Sequence, residues 1–246
     1  MMTTARFLAF SCVHHPYASR AGIRWLLDKI AEHKPTHLVC LGDLIDGEAA
    51  SVHESESDHD LYDEYAEASA FLADCREQAD DPVCVWTLGN HDDNVMKPDP
   101  RRVPRGLRSL VHWNEHRAFG EEFRRWAQYP YIKSQKCVYN LGQVQFFHGF
   151  DVAANSDELE GLQINYCNGS HPWRLTVRGH THRPVGVTQA KRTSKVLLPH
   201  FYSNVGTIGF GDKQPEYMAR KDVTQWGAAI LVGEVELGKR VSRATS

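Results

Sequence analysis

The chain has 246 residues, of which 41% are hydrophobic and 24% are charged, and its formal net charge at pH 7 is −3. This composition is typical of a globular protein with a large core, and we expect residues 1–246 to form one domain. The net negative charge argues against a protein that coats polyanions, and no apolar run approaches the ~18 residues of a membrane span.

The N-terminus enters a short apolar run at once, and this run is too short and too soon interrupted for a signal peptide. The six cysteines are scattered, and Cys40 and Cys84 fall in apolar, strand-like segments. We therefore expect reduced, buried thiols and a cytoplasmic location.

The first half of the chain predicts alternating strands and helices. Short apolar runs predict strands at 6–12, 37–41 and 83–88. Apolar residues at helical spacing predict one helix that ends at Pro35 and a second over 60–79. This β-α-β-α-β order favours a parallel sheet covered by helices.

The second half predicts mainly strands. After a loop at 97–104 and a helix at 115–126, strands are expected at 138–139, 144–147, 175–178, 196–202 and 228–237. Because few helical stretches separate these strands, we expect them to be mostly antiparallel. The whole pattern predicts an α/β protein in which two sheets pack face to face with helices outside.

Charge is distributed unevenly along the chain. Residues 48–81 contain 12 acidic residues and one basic residue, whereas residues 97–126 contain eight basic and four acidic residues. We interpret the acidic run as a solvated helix face. The basic segment is either an exposed loop or a surface that helps to hold a phosphate-bearing substrate, since arginine binds phosphate through two N–H groups.

Five short motifs place metal-binding side chains where predicted strands give way to loops. They are Cys12-Val13-His14, Gly42-Asp43-Leu44-Ile45-Asp46, Gly89-Asn90-His91-Asp92, Phe147-His148-Gly149 and Gly179-His180-Thr181-His182. We expect seven donors to converge at one sheet edge: Cys12, His14, Asp43, Asn90, His148, His180 and His182. This mixture of imidazole, carboxylate and amide groups is typical of a two-metal hydrolytic centre.

Two of these motifs carry geometric expectations. Asp43 is the natural bridge between two ions, since it ends a buried strand and Gly42 permits close backbone approach. A single Asp after a strand is more often a helix cap or turn residue, but here the other motifs recur in order. On a strand, His180 and His182 would share one face, because side chains two residues apart point the same way.

In kind and order, the motifs resemble those of the calcineurin-like metallophosphoesterase superfamily. Its usual signature is Asp-x-His, Gly-Asp-x-x-Asp, Gly-Asn-His-Asp or -Glu, His-Gly and Gly-His-x-His. The chain carries all five in order between residues 12 and 182, with Cys12 in place of the first Asp. The resemblance implies a four-layer α/β/β/α sandwich of two mixed sheets flanked by helices. It also implies hydrolysis of phosphate esters by a dinuclear metal centre with a metal-bound hydroxide as nucleophile.

The resemblance further implies a role for each matching residue. Cys12, His14 and His182 would hold the first metal, Asn90, His148 and His180 the second, and Asp43 would bridge them. His91 would be catalytic together with Asp43, stabilising the transition state beside the substrate and protonating the leaving oxygen. Asp46 and Asp92 match positions that orient ligands. Arg183 either reaches the phosphate, as Asn90 and His91 would, or forms a structural salt bridge.

Cys12 is the departure from the family pattern. A thiolate is softer than a carboxylate, so the first site should prefer zinc or iron to magnesium, and manganese, zinc and iron are the candidate ions. Three interpretations remain open. Cys12 binds as a thiolate, it faces the metal without a strong bond, or the first site is lost.

The sequence therefore predicts a metallophosphoesterase, with phosphodiesters such as nucleotides or nucleic-acid ends favoured over phosphomonoesters and phosphoproteins. The alternative is a non-catalytic or one-metal member that serves as a binding scaffold. Such a scaffold should have lost several ligands, whereas only Cys12 departs here. A structural zinc site is disfavoured because Asn90 is not a typical ligand of one. No protein partner is evident from the sequence.

Overall fold

The computed structural model describes residues 3–52, 60–153, 155–160, 175–191, 199–212, 218 and 223–237. The strands are β1 Thr3–Phe10, β2 His37–Cys40, β3 Val83–Thr87, β4 Ala127–Tyr129, β5 Tyr139–Leu141, β6 Val144–Phe146, β7 Leu175–Arg178, β8 Pro184–Gln189, β9 Phe201–Val205 and β10 Leu231–Leu237. The α-helices are α1 Arg20–His33, α2 Leu61–Gln78, α3 Asn90–Met96, α4 Arg108–Val111 and α5 Gly120–Arg124. Short 3₁₀ turns cover Glu48–Ala50, Arg105–Leu107, Trp113–Glu115 and Gln135–Cys137.

The described strands form two five-stranded sheets. The first has the order β10-β1-β2-β3-β4, in which β10 is antiparallel to β1 and the other neighbours are parallel. The second has the order β5-β6-β7-β9-β8, with parallel β6, β7 and β9 between antiparallel edge strands. The predicted α/β fold of two mixed sheets with flanking helices is confirmed.

The expectation that the second half is mostly antiparallel is confirmed for its outer strands, since β5 pairs antiparallel with β6, β8 with β9 and β10 with β1. Its three central strands β6, β7 and β9 are parallel, and residues 147–174 and 179–200 separate them in the sequence. Parallel pairing requires connections of about a dozen residues or more, and those segments provide them. Because the sequence of these segments shows only weak helical periodicity, it did not predict the parallel pairing.

Alternate residues of the first sheet are divided between two cores. Leu8 and Phe10 pack with Leu26 in a core against the helices. Phe7 and Ala9 pack with residues of the second sheet in a core between the sheets. Since successive side chains of a strand point to opposite faces, a strand buried on both sides reads as a continuous apolar run. The strand predictions at 6–12, 37–41 and 83–88 succeeded for this reason.

The two long helices also match their predictions. Ser19 caps α1 by accepting a hydrogen bond from the backbone of Gly22. The helix ends at His33, and its C-cap residue Lys34 directly precedes Pro35. Asp60 caps α2 by accepting one from the backbone of Asp63. These caps satisfy N–H groups that the first helical turn leaves without partners.

Other elements differ from prediction. The helix expected at 115–126 is reduced to α5, and the 3₁₀ turn Trp113–Glu115 precedes it. The edge strand β8 was not predicted, since its residues are mostly exposed and include a proline and a glycine. The strand expected at 196–202 is observed as β9, and residues 196–198 lie outside the described residues. In the part of the chain that the structure describes, no helix has the length and apolar character of a membrane span.

Candidate metal centre

The carboxyl ends of five parallel strands position the predicted site. The loop after β1 carries Cys12 and His14, and the loop after β2 carries Asp43. Asn90 begins α3, shortly after β3. His148 follows β6, and His180 and His182 follow β7. These strands belong to both sheets, and the seven side chains are brought together at the carboxyl ends of the strands.

One group of donor atoms comprises Cys12, His14, Asp43 and His182, whose candidate ligand atoms all lie within 4.8 Å of one another. His14 Nε2 is 3.1 Å from His182 Nε2 and 3.8 Å from Asp43 Oδ2. Burial lowers the pKa of His182, which keeps its ring neutral and able to donate a lone pair. Two buried imidazole nitrogens that face each other at this distance are better placed to bind a common cation than to hydrogen-bond to each other.

A second group surrounds His148. Its Nε2 lies 3.1 Å from Asp43 Oδ2, 3.2 Å from Asn90 Oδ1 and 3.1 Å from His180 Nδ1. The Nδ1 of His148 donates to the carbonyl of Leu41, which fixes the ring so that Nε2 faces the cluster. Burial lowers the pKa of His180 to about 3, so this ring is also neutral.

Asp43 joins the two groups. Its Oδ2 is near His14 on one side and His148 on the other, while its Oδ1 accepts a hydrogen bond from the backbone of His91 at 3.0 Å. Although burial would raise its pKa, the neighbouring histidines His148, His91 and His14 lower it well below the usual range. The ionised carboxylate therefore lies close to donor atoms of both groups.

The candidate ligands share an unusual backbone conformation. Five of the seven have positive φ angles: Cys12 at 54°, His14 at 53°, Asp43 at 50°, His180 at 71° and His182 at 58°. For a residue with a Cβ atom this left-handed region costs about 1–2 kcal/mol. The expectation that His180 and His182 share a strand face is therefore wrong, because both lie in the loop beyond β7. The loop conformation, not strand periodicity, directs them to the cluster.

Gly42 shows how closely the loops approach one another. Its φ is +83°, and a Cβ atom there would lie 2.6 Å from His148 Nδ1. Gly89 is similar, since a Cβ atom would overlap Asp43 Oδ1. Larger residues at either position would displace a candidate ligand.

Asp92 holds the loop that carries Asp43. Its Oδ2 accepts hydrogen bonds from Asp43 N and Gly89 N, both at 2.8 Å, and from Trp86 Nε1 at 3.2 Å. Its Oδ1 accepts from Leu44 N at 3.0 Å and Ile45 N at 3.2 Å. The expected orienting role is thus exerted through the backbone of a ligand rather than through a ligand side chain.

His91 lies beside the cluster and is oriented by Asp46. Its Nδ1 is 3.0 Å from Asp46 Oδ1 and 2.9 Å from the Asp46 carbonyl oxygen, so Nε2 points away from Asp46. Burial alone would lower the pKa of His91, but the negative charges of Asp46 and Asp43 outweigh it and raise the pKa to about 10. The other oxygen of Asp46 lies 3.4 Å from His14 Nδ1, so one carboxylate positions both rings.

Glu64 binds the backbone of the turn that follows Asp46. Its Oε2 accepts a hydrogen bond from Gly47 N at 2.6 Å, and the side chain is fully buried. Burial, with the charges of Asp46 and Glu48, raises the pKa of Glu64 to about 8 against the opposing influence of His91.

Cys12 is fully buried, and its Sγ lies 3.0 Å from Ser11 Oγ. Burial and the charge of Asp43 raise the pKa of the thiol well above its usual value. A bound cation offsets both effects, because metal binding displaces the thiol proton. The remaining cysteines among the described residues are free and buried, as predicted.

Arg183 directly follows the candidate ligand His182 in the sequence. Its side chain is half-buried, and within the described segments no hydrogen bond or ion pair joins its guanidinium to a candidate ligand. Three arginines of the basic segment are also engaged elsewhere. Arg101 pairs with Asp99, Arg124 donates to the carbonyl of Asn114, and Arg125 pairs with Glu121.

Several residues near the site were missed by sequence reasoning. Arg178 is fully buried behind His180 and pairs with Glu160 at 2.5 Å. Phe210 and Trp226 contact the rings of His14 and His182. No sequence signal identified the two aromatic residues, since they lie in irregular segments far along the chain from the motifs.

A family model described as calcineurin-like phosphoesterase matches residues 5–184. No curated protein matches the chain. Among solved structures, a metallophosphoesterase from Sphaerobacter thermophilus is 13% identical, covers 84% of this chain and 78% of its own, and has a TM-score of 0.47. A Pseudomonas putida nuclease, MPE, is 15% identical with coverages of 85% and 80% and a TM-score of 0.41. A Vps29 variant from Entamoeba histolytica is 13% identical with coverages of 95% and 99% and a TM-score of 0.41.

Proposed function

Because the chain belongs to the calcineurin-like phosphoesterase family, we propose that this metallophosphoesterase hydrolyses phosphodiesters at a dinuclear metal centre. The observation that carries the proposal is the position of Asp43, whose Oδ2 is near the donor atoms of both groups. One carboxylate oxygen between two sets of imidazole nitrogens is suited to a pair of cations rather than to one.

We assign the ligands according to these two groups. Cys12, His14 and His182 hold the first ion, and Asn90, His148 and His180 hold the second, with Asp43 between them. The residues fit this purpose, since their donor atoms converge and the rings of His180 and His182 are held neutral by burial. When bound, two such ions neutralise the ester oxygens and lower the pKa of a water molecule.

The side chains of this protein then orient the substrate and move a proton. A water molecule loses one proton to solvent, and its oxygen forms a new bond to phosphorus while the bond from phosphorus to the leaving oxygen breaks. His91, oriented by Asp46, donates a proton to that leaving oxygen. Asn90 and His91 contact the phosphate. We include Arg183 as a further phosphate contact at the rim, because it directly follows His182 and is half-exposed.

A diester is favoured over a monoester by the charge around the cluster. A diester carries one negative charge, whereas a monoester carries close to two at neutral pH. Arg178 is buried and paired with Glu160 and Asp157, which leaves Arg183 as the single arginine that we propose for the phosphate. The cluster therefore suits the less charged ester, and nucleotides or nucleic-acid ends are the candidate substrates.

The metal in the first site follows from Cys12. A thiolate with two imidazoles prefers zinc or iron, whereas a carboxylate in its place would favour manganese or magnesium. We expect zinc or ferrous iron in the first site and less selectivity in the second, where an amide oxygen replaces the thiolate. Manganese remains a candidate there.

The test compares hydrolysis of bis(p-nitrophenyl) phosphate with that of p-nitrophenyl phosphate. Metal-stripped protein is resupplied with manganese, zinc or ferrous iron, and bound metal is counted by mass spectrometry. We expect two ions per chain, faster turnover of the diester, and a loss of about 10²–10⁴-fold in His91→Ala.

The matched control is His33→Ala, which removes an exposed histidine from the end of α1 and should leave turnover unchanged. Two bound ions with no hydrolysis of either ester would contradict the proposal and favour a binding scaffold. A single bound ion would contradict the dinuclear centre. Faster hydrolysis of the monoester would contradict the diester preference alone.

A further inference from the structure

Two aromatic rings lie beside the first group of donors. The Trp226 ring meets the His182 ring edge to face, with centroids 4.2 Å apart. The Phe210 ring is 5.3 Å from the His14 ring and 6.0 Å from Trp226. Both rings thus reach the candidate ligands directly, although neither can bind a metal.

Backbone hydrogen bonds fix both rings in place. On either side of Phe210, Gly209 O accepts from Ser19 N at 3.0 Å and Gly211 N donates to Tyr17 O at 2.7 Å. Next to Trp226, Gly227 N donates to His182 O at 3.0 Å. The rings are therefore held by the same loops that carry the candidate ligands.

The exposure of these rings indicates where they face. The ligands His14 and His182 are buried, whereas Phe210 and Trp226 are half-exposed, as are Asn90, His91 and His180. Tryptophans of the hydrophobic core, such as Trp113 and Trp126, are fully buried. Phe210 and Trp226 are therefore in contact with buried candidate ligands and also partly open to solvent, where a ligand can reach them.

We propose that Phe210 and Trp226 form a binding site for the nucleobase of a nucleotidyl phosphodiester. This rests on the proposed function, because the phosphate must lie at the cluster for its base to reach the rings. Aromatic side chains stack on bases with little preference for sequence, since every base has a π face. The site accordingly accepts different bases and discriminates against esters that carry only aliphatic groups.

The test measures binding, so that it does not depend on turnover. Adenosine 5′-monophosphate is the nucleotidyl product of such a diester, and ribose 5-phosphate carries the same phosphate and sugar without the base. We expect calorimetry with the zinc-loaded protein to show adenosine 5′-monophosphate binding roughly tenfold to a hundredfold more tightly. Trp226→Ala should remove most of this difference and leave the Kd of ribose 5-phosphate unchanged, whereas Trp226→Phe should retain part of it.

Phe210→Ala should act like Trp226→Ala, and Tyr62→Ala, which removes an exposed ring on α2, is the matched control. Equal affinity of the wild-type protein for the two ligands would overturn the inference even if no variant folds. Weaker binding of both ligands by Trp226→Ala, with loss of zinc, would also overturn it and show that the ring only packs around His182. Failure of the proposed function is distinguishable, since it appears as metal-loaded protein that does not hydrolyse bis(p-nitrophenyl) phosphate.

Discussion

The substitution Asp92→Asn tests how the site is held together. The Asp92 carboxylate accepts five hydrogen bonds, and each of the five partners is an N–H donor. Asparagine has nearly the same shape but replaces one oxygen by an NH₂ group. In either orientation of the amide, its NH₂ group faces N–H donors and cannot accept their hydrogen bonds.

The expected cost follows from those contacts. The less damaging orientation places the NH₂ group at the Oδ1 position, where Leu44 N and Ile45 N lose their acceptor. Both residues are fully buried, so water cannot replace it. An unpaired buried donor costs about 1–3 kcal/mol, so we expect Asp92→Asn to lower the free energy of unfolding by about 2–6 kcal/mol. That is a large part of the total stability of about 5–15 kcal/mol of a typical domain.

Urea denaturation of the metal-free protein measures this free energy directly. The matched control is Asp93→Asn, the next residue, which forms an i,i+4 pair with Lys97 at 2.7 Å and should lose only about 0.3–0.5 kcal/mol. Because Asp92 holds the backbone of Asp43, zinc affinity should also fall roughly tenfold to a hundredfold in the first variant. A free energy of unfolding equal to that of the control would refute the reasoning.

Three further predictions concern single side chains. Cys12→Asp should move metal preference from zinc toward manganese or magnesium without abolishing turnover, and unchanged selectivity in competition experiments would show that the thiol is not a ligand. The fold holds the Glu64 proton more tightly than the unfolded chain does, so stability falls as pH rises from the ordinary value of 4.5 to about 8. Glu64→Gln should remove a few kcal/mol of this decline between pH 5 and pH 8.5, and parallel pH profiles for the two proteins would contradict it. Arg178→Met should cost about 3–5 kcal/mol by leaving Glu160 buried without its partner. Adding Glu160→Gln should recover part of that loss in thermal denaturation, and a strictly additive double variant would disprove the coupling.

The sequence predicted the part of the fold that depends on local patterns. Strands buried on both faces gave continuous apolar runs, and these runs end where the ligand-bearing motifs begin. Asp43 is an example, since the apolar residues of β2 locate it and Gly42 indicates a close approach. The convergence of the motifs could be expected because parallel strands end at a common edge.

What could not be predicted depends on contacts between distant segments. The direction of β7 and β9 is set by connections that have no clear periodicity. Phe210 and Trp226 reach the cluster only because their loops bond to residues 17–19 and to His182. The placement of His180 and His182 arises from the backbone of their loop, for which strand alternation was the wrong guide.

The left-handed backbone at five candidate ligands bears on how such a centre could be transplanted. A protein designer who copied the seven side chains onto ordinary strand ends would reproduce the composition but not the directions of the donor atoms. The loops would have to be transferred with their supports, including the Asp92 carboxylate and the close contacts at Gly42 and Gly89. Conversely, glycine should relieve the strained backbone at a left-handed residue away from the centre, such as Lys34 at φ 44°. The positions of the candidate donor atoms thus depend on the main-chain conformation of these loops as much as on the identity of the side chains.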